Sequence, residues 1–223
     1  MIKVGVITFP GSNCDDDAID TLKNIEGFEV ENLWHKDTPD LSPFSLMVLP
    51  GGFSYGDYLR CGAMAACSPI MERVKTFASH GGFVIGICNG FQILCEAGLL
   101  PGALAKNLSL NFICRDVTLK ITHDNTPWTC EIKALDELTL PIAHGEGRFV
   151  IDEEGYQDLV KHQQIVMTYK NNPNGSVYDI AGICNKTKNV LGLMPHPERA
   201  TELRTRDGLK IWSSLRAHLE KKI

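Results

Sequence analysis

The sequence has no run approaching the roughly 18 consecutive apolar residues of a membrane helix, so no spanning helix is expected. It has no basic block either: 22 Lys and Arg against 27 Asp and Glu leave a net charge of −5. The footprint of a nucleic-acid binder is therefore missing, and a small neutral or ionic substrate is expected. None of the eight cysteines forms a C-x-x-C pair, which argues against a zinc ribbon or a disulfide framework; most are expected to be reduced, buried and inert. His35, His80, His123, His162 and His218 show no metal-ligand spacing. Gly11-Ser12-Asn13 lacks the Gly-Lys-Ser/Thr ending of a phosphate loop, and Asp15, Asp16 and Asp17 lack calcium-loop spacing. No metal site is expected, and there is no repeat, low-complexity tract or linker.

With hydrophobic residues at 43% and charged residues at 22%, the 223 residues read as one globular domain, 1–223, with a core large enough to fold alone. The apolar start, residues 1–9, is too short for a signal segment and reads as a first buried strand; a cytosolic protein is expected. Strands are expected over 3–9, 28–34, 45–49 and 83–87, and helices from Asp15, over 63–79 and over 89–97. Residues 104–132 read as a meander or extra sheet edge. A helix over 153–162, a hairpin of 179–184 with 190–194, and a closing helix over 207–222 complete the pattern. Alternating strands and helices imply a mostly parallel α/β sheet whose ligands bind beyond the carboxyl ends of the strands.

Three stretches fall at such ends. Gly86-Ile87-Cys88-Asn89-Gly90 has the form of a nucleophile elbow: a sharp strand-to-helix turn exposes the nucleophile, and flanking glycines avoid Cβ clashes. A thiol at a helix N-terminus gains stability as thiolate. The bland alternative is a buried cysteine between packing glycines. Met194-Pro195-His196-Pro197-Glu198 should be extended, because Pro197 keeps His196 out of the helical region; His196 and Glu198 then point the same way, supplying a base and the acceptor that orients it. Gly51-Gly52 leaves backbone N–H groups open to an oxyanion, with Gly52 and Asn89 as its donors. His144-Gly145-Glu146-Gly147-Arg148 suits either a tight turn or a loop bordering the site.

These residues resemble the class I (triad) glutamine amidotransferases, whose G-x-C-x-G-x-Q pattern is met by Gly86, Cys88, Gly90 and Gln92, and whose His-x-Glu pattern is met by His196 and Glu198. "FPGSNCD", "GGFSYGDYLRCGA", "HGEGRF", "NNPNGS" and "MPHPERA" are similar to one family within that class, the small glutaminase subunits of phosphoribosylformylglycinamidine synthase, across essentially the whole chain. The resemblance implies a flavodoxin-like doubly wound, mostly parallel sheet with an extra antiparallel segment. It implies that Cys88 attacks the glutamine amide, that His196 shuttles the proton and that Glu198 orients His196. Gly52, Asn89 and Gln92 would serve the oxyanion and the substrate. It further implies that ammonia passes to a large synthetase subunit, assembled with a small accessory subunit, which uses ATP and Mg to make formylglycinamidine ribonucleotide. No cofactor is expected in this chain.

An assembly-dependent glutaminase needs loops that complete the site on docking. Tyr55, Asp57 and Arg60, with His144 and Arg148, are the interface and gating candidates. Rival readings are a cysteine hydrolase of the intracellular peptidase or chaperone type, a non-catalytic scaffold, and an amidotransferase serving an imidazole-glycerol or pyridoxal acceptor.

Overall fold

The structure, a computed structural model, describes residues 1–201 and 205–221. Its first half alternates as expected: β1 Ile2–Thr8, α1 Asp15–Lys23, β2 Phe28–Trp34 and β3 Leu46–Leu49. Next come α2 Ala63–Ala66, α3 Pro69–Ser79, β4 Phe83–Ile87 and α4 Asn89–Glu96. The helix expected over 63–79 is two helices. Pro69 lacks an N–H and drives Ser68 to φ −65°, ψ 146°, so the first helix stops and Pro69 opens the second.

The second half adds β5 Ala103–Ala105, β6 Ile113–Ile121, β7 Glu137–His144, β8 Arg148–Val150, α5 Glu153–Lys161, β9 Ile165–Tyr169, β10 Ile180–Cys184, β11 Val190–Leu193 and α6 Asp207–Glu220. The meander expected over 104–132 contains only β5 and β6. Strands β7 and β9 were not anticipated. Pro141 disguises β7; it is tolerated there because β7 is the edge of the sheet, where a missing N–H costs no ladder bond. The expected end of the last helix, residue 222, lies outside the described residues.

Nine strands form one sheet in the order β2-β1-β3-β4-β11-β10-β9-β6-β7. From β2 to β11 neighbours run parallel, and from β11 to β7 they run antiparallel. The parallel part has the 2-1-3-4-5 order of the flavodoxin-like fold. Its central strands β3, β4 and β11 are buried along their whole length, as strands covered on both faces must be, whereas the edge strand β2 is largely exposed.

The start of α4 lies directly on β3. A Cβ on Gly90 would stand 2.0 Å from the Leu49 carbonyl oxygen, and one on Gly86 2.5 Å from the Gly90 carbonyl oxygen. The two glycines of the elbow thus permit a backbone approach that no side chain allows. Because the obstruction at Gly90 is backbone, relaxation is costly. Gly90→Ala is expected to lower unfolding stability by more than about 3 kcal/mol in denaturant titration; a loss below about 1 kcal/mol would mean that the approach is not tight.

Candidate functional site

Cys88 joins β4 to α4 with φ 51° and ψ −103°, a conformation that costs an L-residue on the order of 1–3 kcal/mol. Two sets of bonds hold it. Its N–H donates to Leu193 O on β11 (2.8 Å), and its carbonyl accepts from Phe91 and Gln92 N–H (3.0 and 3.2 Å). The side chain is therefore delivered to the N-terminus of α4, where unpaired N–H groups point outward.

His196 follows β11 with φ −103° and ψ 92°, extended as expected. The extension ends there: Pro197–Arg199 is a 3-10 turn, yet the turn brings Glu198 back to the ring, with His196 Nδ1 donating to Glu198 Oε1 at 2.6 Å. Both side chains are buried. His196 N–H donates to Pro141 O on edge strand β7, Thr21 Oγ1 donates to Glu198 O, and Arg199 pairs with Asp17 on α1. Burial opposes charge on the imidazole, but the Glu198 carboxylate and the thiols of Cys14 and Cys88 outweigh it. The affinity of His196 for its proton lies well above the ordinary range.

Gly51 shows how closely the parts meet. A Cβ there would lie 2.7 Å from His196 Cε1, 3.1 Å from Cys14 Sγ and 3.5 Å from Cys88 Cβ. Next to it Gly52, at φ 140°, forms a bridge with Ser12, while Phe53 N–H bonds Gly11 O and Tyr55 N–H bonds Pro10 O. The Pro10–Asn13 loop is thus a brace for the glycine turn.

In front of Cys88 lies a cavity of about 130 Å³ lined by Gly52, Phe53, Asp57, Cys61, Gln92, Phe112 and residues 143–146. A wider groove of about 520 Å³ sits by Lys75, Phe83, Lys188 and His218, near the opposite ends of β4 and β11, and touches none of the residues above. The smaller cavity holds the chemistry, because it, unlike the wider groove, opens onto the elbow at Cys88. The arrangement is a thiol, an imidazole and a carboxylate in sequence, with helix and glycine-loop N–H groups alongside, which suits nucleophilic attack on an acyl carbon.

A model of the CobB/CobQ-like glutamine amidotransferase domain matches residues 1–213. The chain belongs to this glutamine amidotransferase family. Its relatives include the phosphoribosylformylglycinamidine synthase subunit PurQ of Alkaliphilus metalliredigens, 53% identical over 221 residues, 98% of this chain and 97% of the relative. The subunit of the same name from Lacticaseibacillus casei is 53% identical over 216 residues, 96% of this chain and 94% of the relative. A chain in the structure of PurLQS from Thermotoga maritima superposes with a TM-score of 0.89 at 43% identity, covering 98% of this chain and 99% of its own. A putative gmp synthase subunit from Thermoplasma acidophilum, at 15% identity and TM-score 0.69, covers 100% of this chain and 98% of its own, and shares the fold alone.

In this amidotransferase Asn89 and Gln92 link the two loops around the cavity. Asn89 Oδ1 accepts from Ser54 N–H (3.2 Å) and its Nδ2 donates to Gln92 Oε1 (2.8 Å), while Gln92 Nε2 donates to Glu146 O (2.6 Å). Both ends of the Gln92 carboxamide are therefore engaged by the protein and tie the loop at Glu146 to α4. Among the interface candidates, only Arg60 is exposed, paired with Glu96. Tyr55 turns inward, its hydroxyl on His35 and Ser68. His144 is buried, and Asp57 and Arg148 are half-buried. Burial raises the Asp57 carboxyl above its usual range. Phe53, Tyr58, Leu59, Leu108, Leu110 and Phe112 are exposed apolar residues, and of these Phe53 and Phe112 line the cavity. Leu108, Leu110 and Phe112 belong to a segment the sequence reading passed over as sheet edge; their alternation with Ser109 and Asn111 was the available signal. Cys14 was also missed, although it stands like Cys88 between a strand and a helix. Cys67 and Cys114 are exposed, against the expectation of burial.

Asn107 fixes the state of His144. Asn107 Oδ1 accepts from Gly147 N–H and so accepts from His144 Nδ1 as well, leaving Nε2 of His144 unprotonated. Burial, with the charge of His196 nearby, pushes the His144 imidazole down to about 4 from the usual 6.5. Above pH 6.5 neither the folded nor the unfolded state protonates it. As pH falls toward 4 only the unfolded chain takes up the proton, so folding loses about 3 kcal/mol across that window. His144→Gln is expected to flatten the pH dependence of the denaturation midpoint between pH 6.5 and 4; an unchanged slope would show that His144 titrates normally in the fold.

Proposed function

We propose that Cys88, His196 and Glu198 are the working residues of a glutaminase that hydrolyses glutamine and passes the ammonia to a synthetase subunit. The observation that carries the reading is the elbow cysteine held at φ 51° beside a buried His196–Glu198 pair at 2.6 Å, in a chain of the amidotransferase family. The shared name of the relatives, phosphoribosylformylglycinamidine synthase subunit PurQ, supports formylglycinamide ribonucleotide as the final nitrogen acceptor. The PurLQS neighbour supports a complex with a large synthetase and a small accessory subunit. ATP and Mg belong to the synthetase in this reading. Among the described residues no helix is long and apolar enough to cross a membrane, and the eight cysteines are free; both features suit a cytoplasmic enzyme.

In the reaction, His196 takes the thiol proton as Cys88 Sγ attacks the side-chain amide carbon of glutamine. The oxyanion meets the N–H groups of Gly52 and Asn89. The tetrahedral adduct expels ammonia with the proton from His196, leaving a glutamyl thioester. Water then gives its proton to His196, adds to the thioester and releases glutamate as the thiol is restored. Glu198 keeps its charge throughout and stabilises the imidazolium at each transfer. Phe53 and Phe112, with ring centroids 6.5 Å apart, line the cavity and are half-exposed, so the surface beside its mouth suits cover by a partner protein.

Cys88→Ala is expected to abolish glutamine-dependent amidine synthesis by the assembled complex while ammonium-dependent synthesis survives. Equal loss of both would refute the division of labour. Glu198→Gln keeps the shape of the pair but removes its charge, and glutamate release should fall by roughly 10²-fold or more, though less than in His196→Ala. Full activity in Glu198→Gln would reduce the triad to a dyad.

A further inference from the structure

The cavity in front of Cys88 carries charge of opposite sign at different points of its wall. Cys88 stands at the N-terminus of α4 with the strongly basic His196 beside it, a setting that favours an anion. Elsewhere on the wall are two carboxylates, Asp57 and Glu146, with the Cys61 thiol in hydrogen-bonding reach of both. The charged groups that act on Asp57 and Cys61 are each other and Glu146, all acidic, and no lysine or arginine among the described residues joins them. Arg60, three positions on from Asp57, is committed to Glu96. Burial holds the Asp57 carboxyl above its usual range, and the Glu146 charge adds to this against a hydrogen bond from Cys61. Asp57 Oδ1 is buried without a partner. The backbone is strained to put it there, since Tyr55, Asp57 and Leu59 all take positive φ (54°, 54° and 69°). A further acceptor on the same wall is unmatched: His144, 3% exposed, keeps its Nε2 without a partner. Unpaired buried acceptors and uncompensated negative charge both point to a ligand that brings a cation with N–H donors.

We propose that Asp57 and Glu146 bind the α-ammonium of the substrate amino acid while its side-chain amide is presented to Cys88. The proposal rests on the reading of Cys88 as the nucleophile toward glutamine. In glutamine only four bonds separate the amide carbon from the α-nitrogen, so both ends belong in one cavity, and about 130 Å³ suits a ligand of amino-acid size. An ammonium has three N–H donors and can be shared between two carboxylates. The Cys61 thiol donates only weakly, which makes the ammonium the stronger partner for both acids. A glutamine inside a peptide has a neutral amide in place of this ammonium, so the acids select the free amino acid. The two carboxylates also come from different loops, which Asn89 and Gln92 tie to α4 through Ser54 and Glu146. A bound ammonium offsets the repulsion between the acids and draws the loops together over the substrate. No bond changes at this end; the ammonium keeps its protons.

The test compares glutamine with 4-carbamoylbutanoate, the same molecule without its α-amino group, as substrates of the assembled complex, read by release of glutamate or glutarate. Wild-type kcat/KM should favour glutamine by roughly 10²-fold, because the analogue leaves both carboxylates unpaired. Asp57→Asn keeps the shape and removes the charge, and should cut this preference at least about tenfold through a higher KM for glutamine, as a contact made equally in the bound and transition states requires. Glu146→Gln should act in the same direction and serves if Asp57→Asn does not fold. Equal losses on both substrates in both variants would mark the acids as structural and overturn the subsite, with Cys88 as nucleophile untouched. A wild-type complex indifferent to the α-amino group overturns it as well. Cys88→Ala should abolish turnover of both substrates; persistence of turnover there would overturn the reading of Cys88 and the subsite with it.

Discussion

The contact on which the rest of the structure depends is the approach of Gly90 to the Leu49 carbonyl, where α4 begins on top of β3. That approach leaves β4 no gentle way into the helix. The turn has to be made in one residue, Cys88, whose backbone is driven to positive φ and whose side chain is thereby aimed out of the sheet toward the loops. The strain is small beside the burial of the surrounding strands, which is on the order of 1–3 kcal/mol for each large apolar side chain. A turn with ordinary side chains at both glycine positions could not come this close, and the thiol would stay among the core residues.

Once the elbow is set, the other parts reach it through backbone bonds. Cys88 N–H is bonded to the last residue of β11, so the strand that supports the thiol is also the strand that leads into His196. His196 is then bonded to Pro141 on the antiparallel edge. The proline that weakens β7 as a strand in the sequence leaves a carbonyl at the point where the histidine needs an acceptor for its N–H. Glu198 is secured from the other side by α1, through Thr21 and the Arg199–Asp17 pair. Two ionisable side chains taken out of water need such support, because an isolated buried charge costs several kcal/mol and a paired one is stable only when its geometry is fixed.

The loops are coupled to the elbow by amide side chains. Asn89 and Gln92, on the first turn of α4, connect Ser54 in one loop to Glu146 in the other, so a displacement of either loop is felt at the helix that carries the nucleophile. At the cavity itself Phe53 and Phe112 are half-exposed although they are apolar.

The alternation of strands and helices, the elbow at Cys88 and the pairing of His196 with Glu198 were legible in the sequence, because each depends on neighbours a few residues away: a glycine two positions off, a proline next door, an apolar run of strand length. The break at Pro69 obeyed the same local rule and was legible, though the reading ran one helix through it. The edge strand β7 was not, since what makes Pro141 acceptable is its place at the end of the sheet order. Nor was the fate of His144, which the sequence left open between a tight turn and a loop bordering the site; it lines the cavity and is held neutral and buried by Asn107, 37 positions earlier in the chain. Cys14 is the sharpest case. Nothing local distinguishes it from the other cysteines, and only the sheet, by laying the ends of β1, β3, β4 and β11 side by side, brings a residue from the first loop against a histidine near the other end of the chain. Local backbone preference determined the elements and the reactive residues; long-range packing alone decided which side chains share a pocket, because burial and charge are properties of neighbours in space.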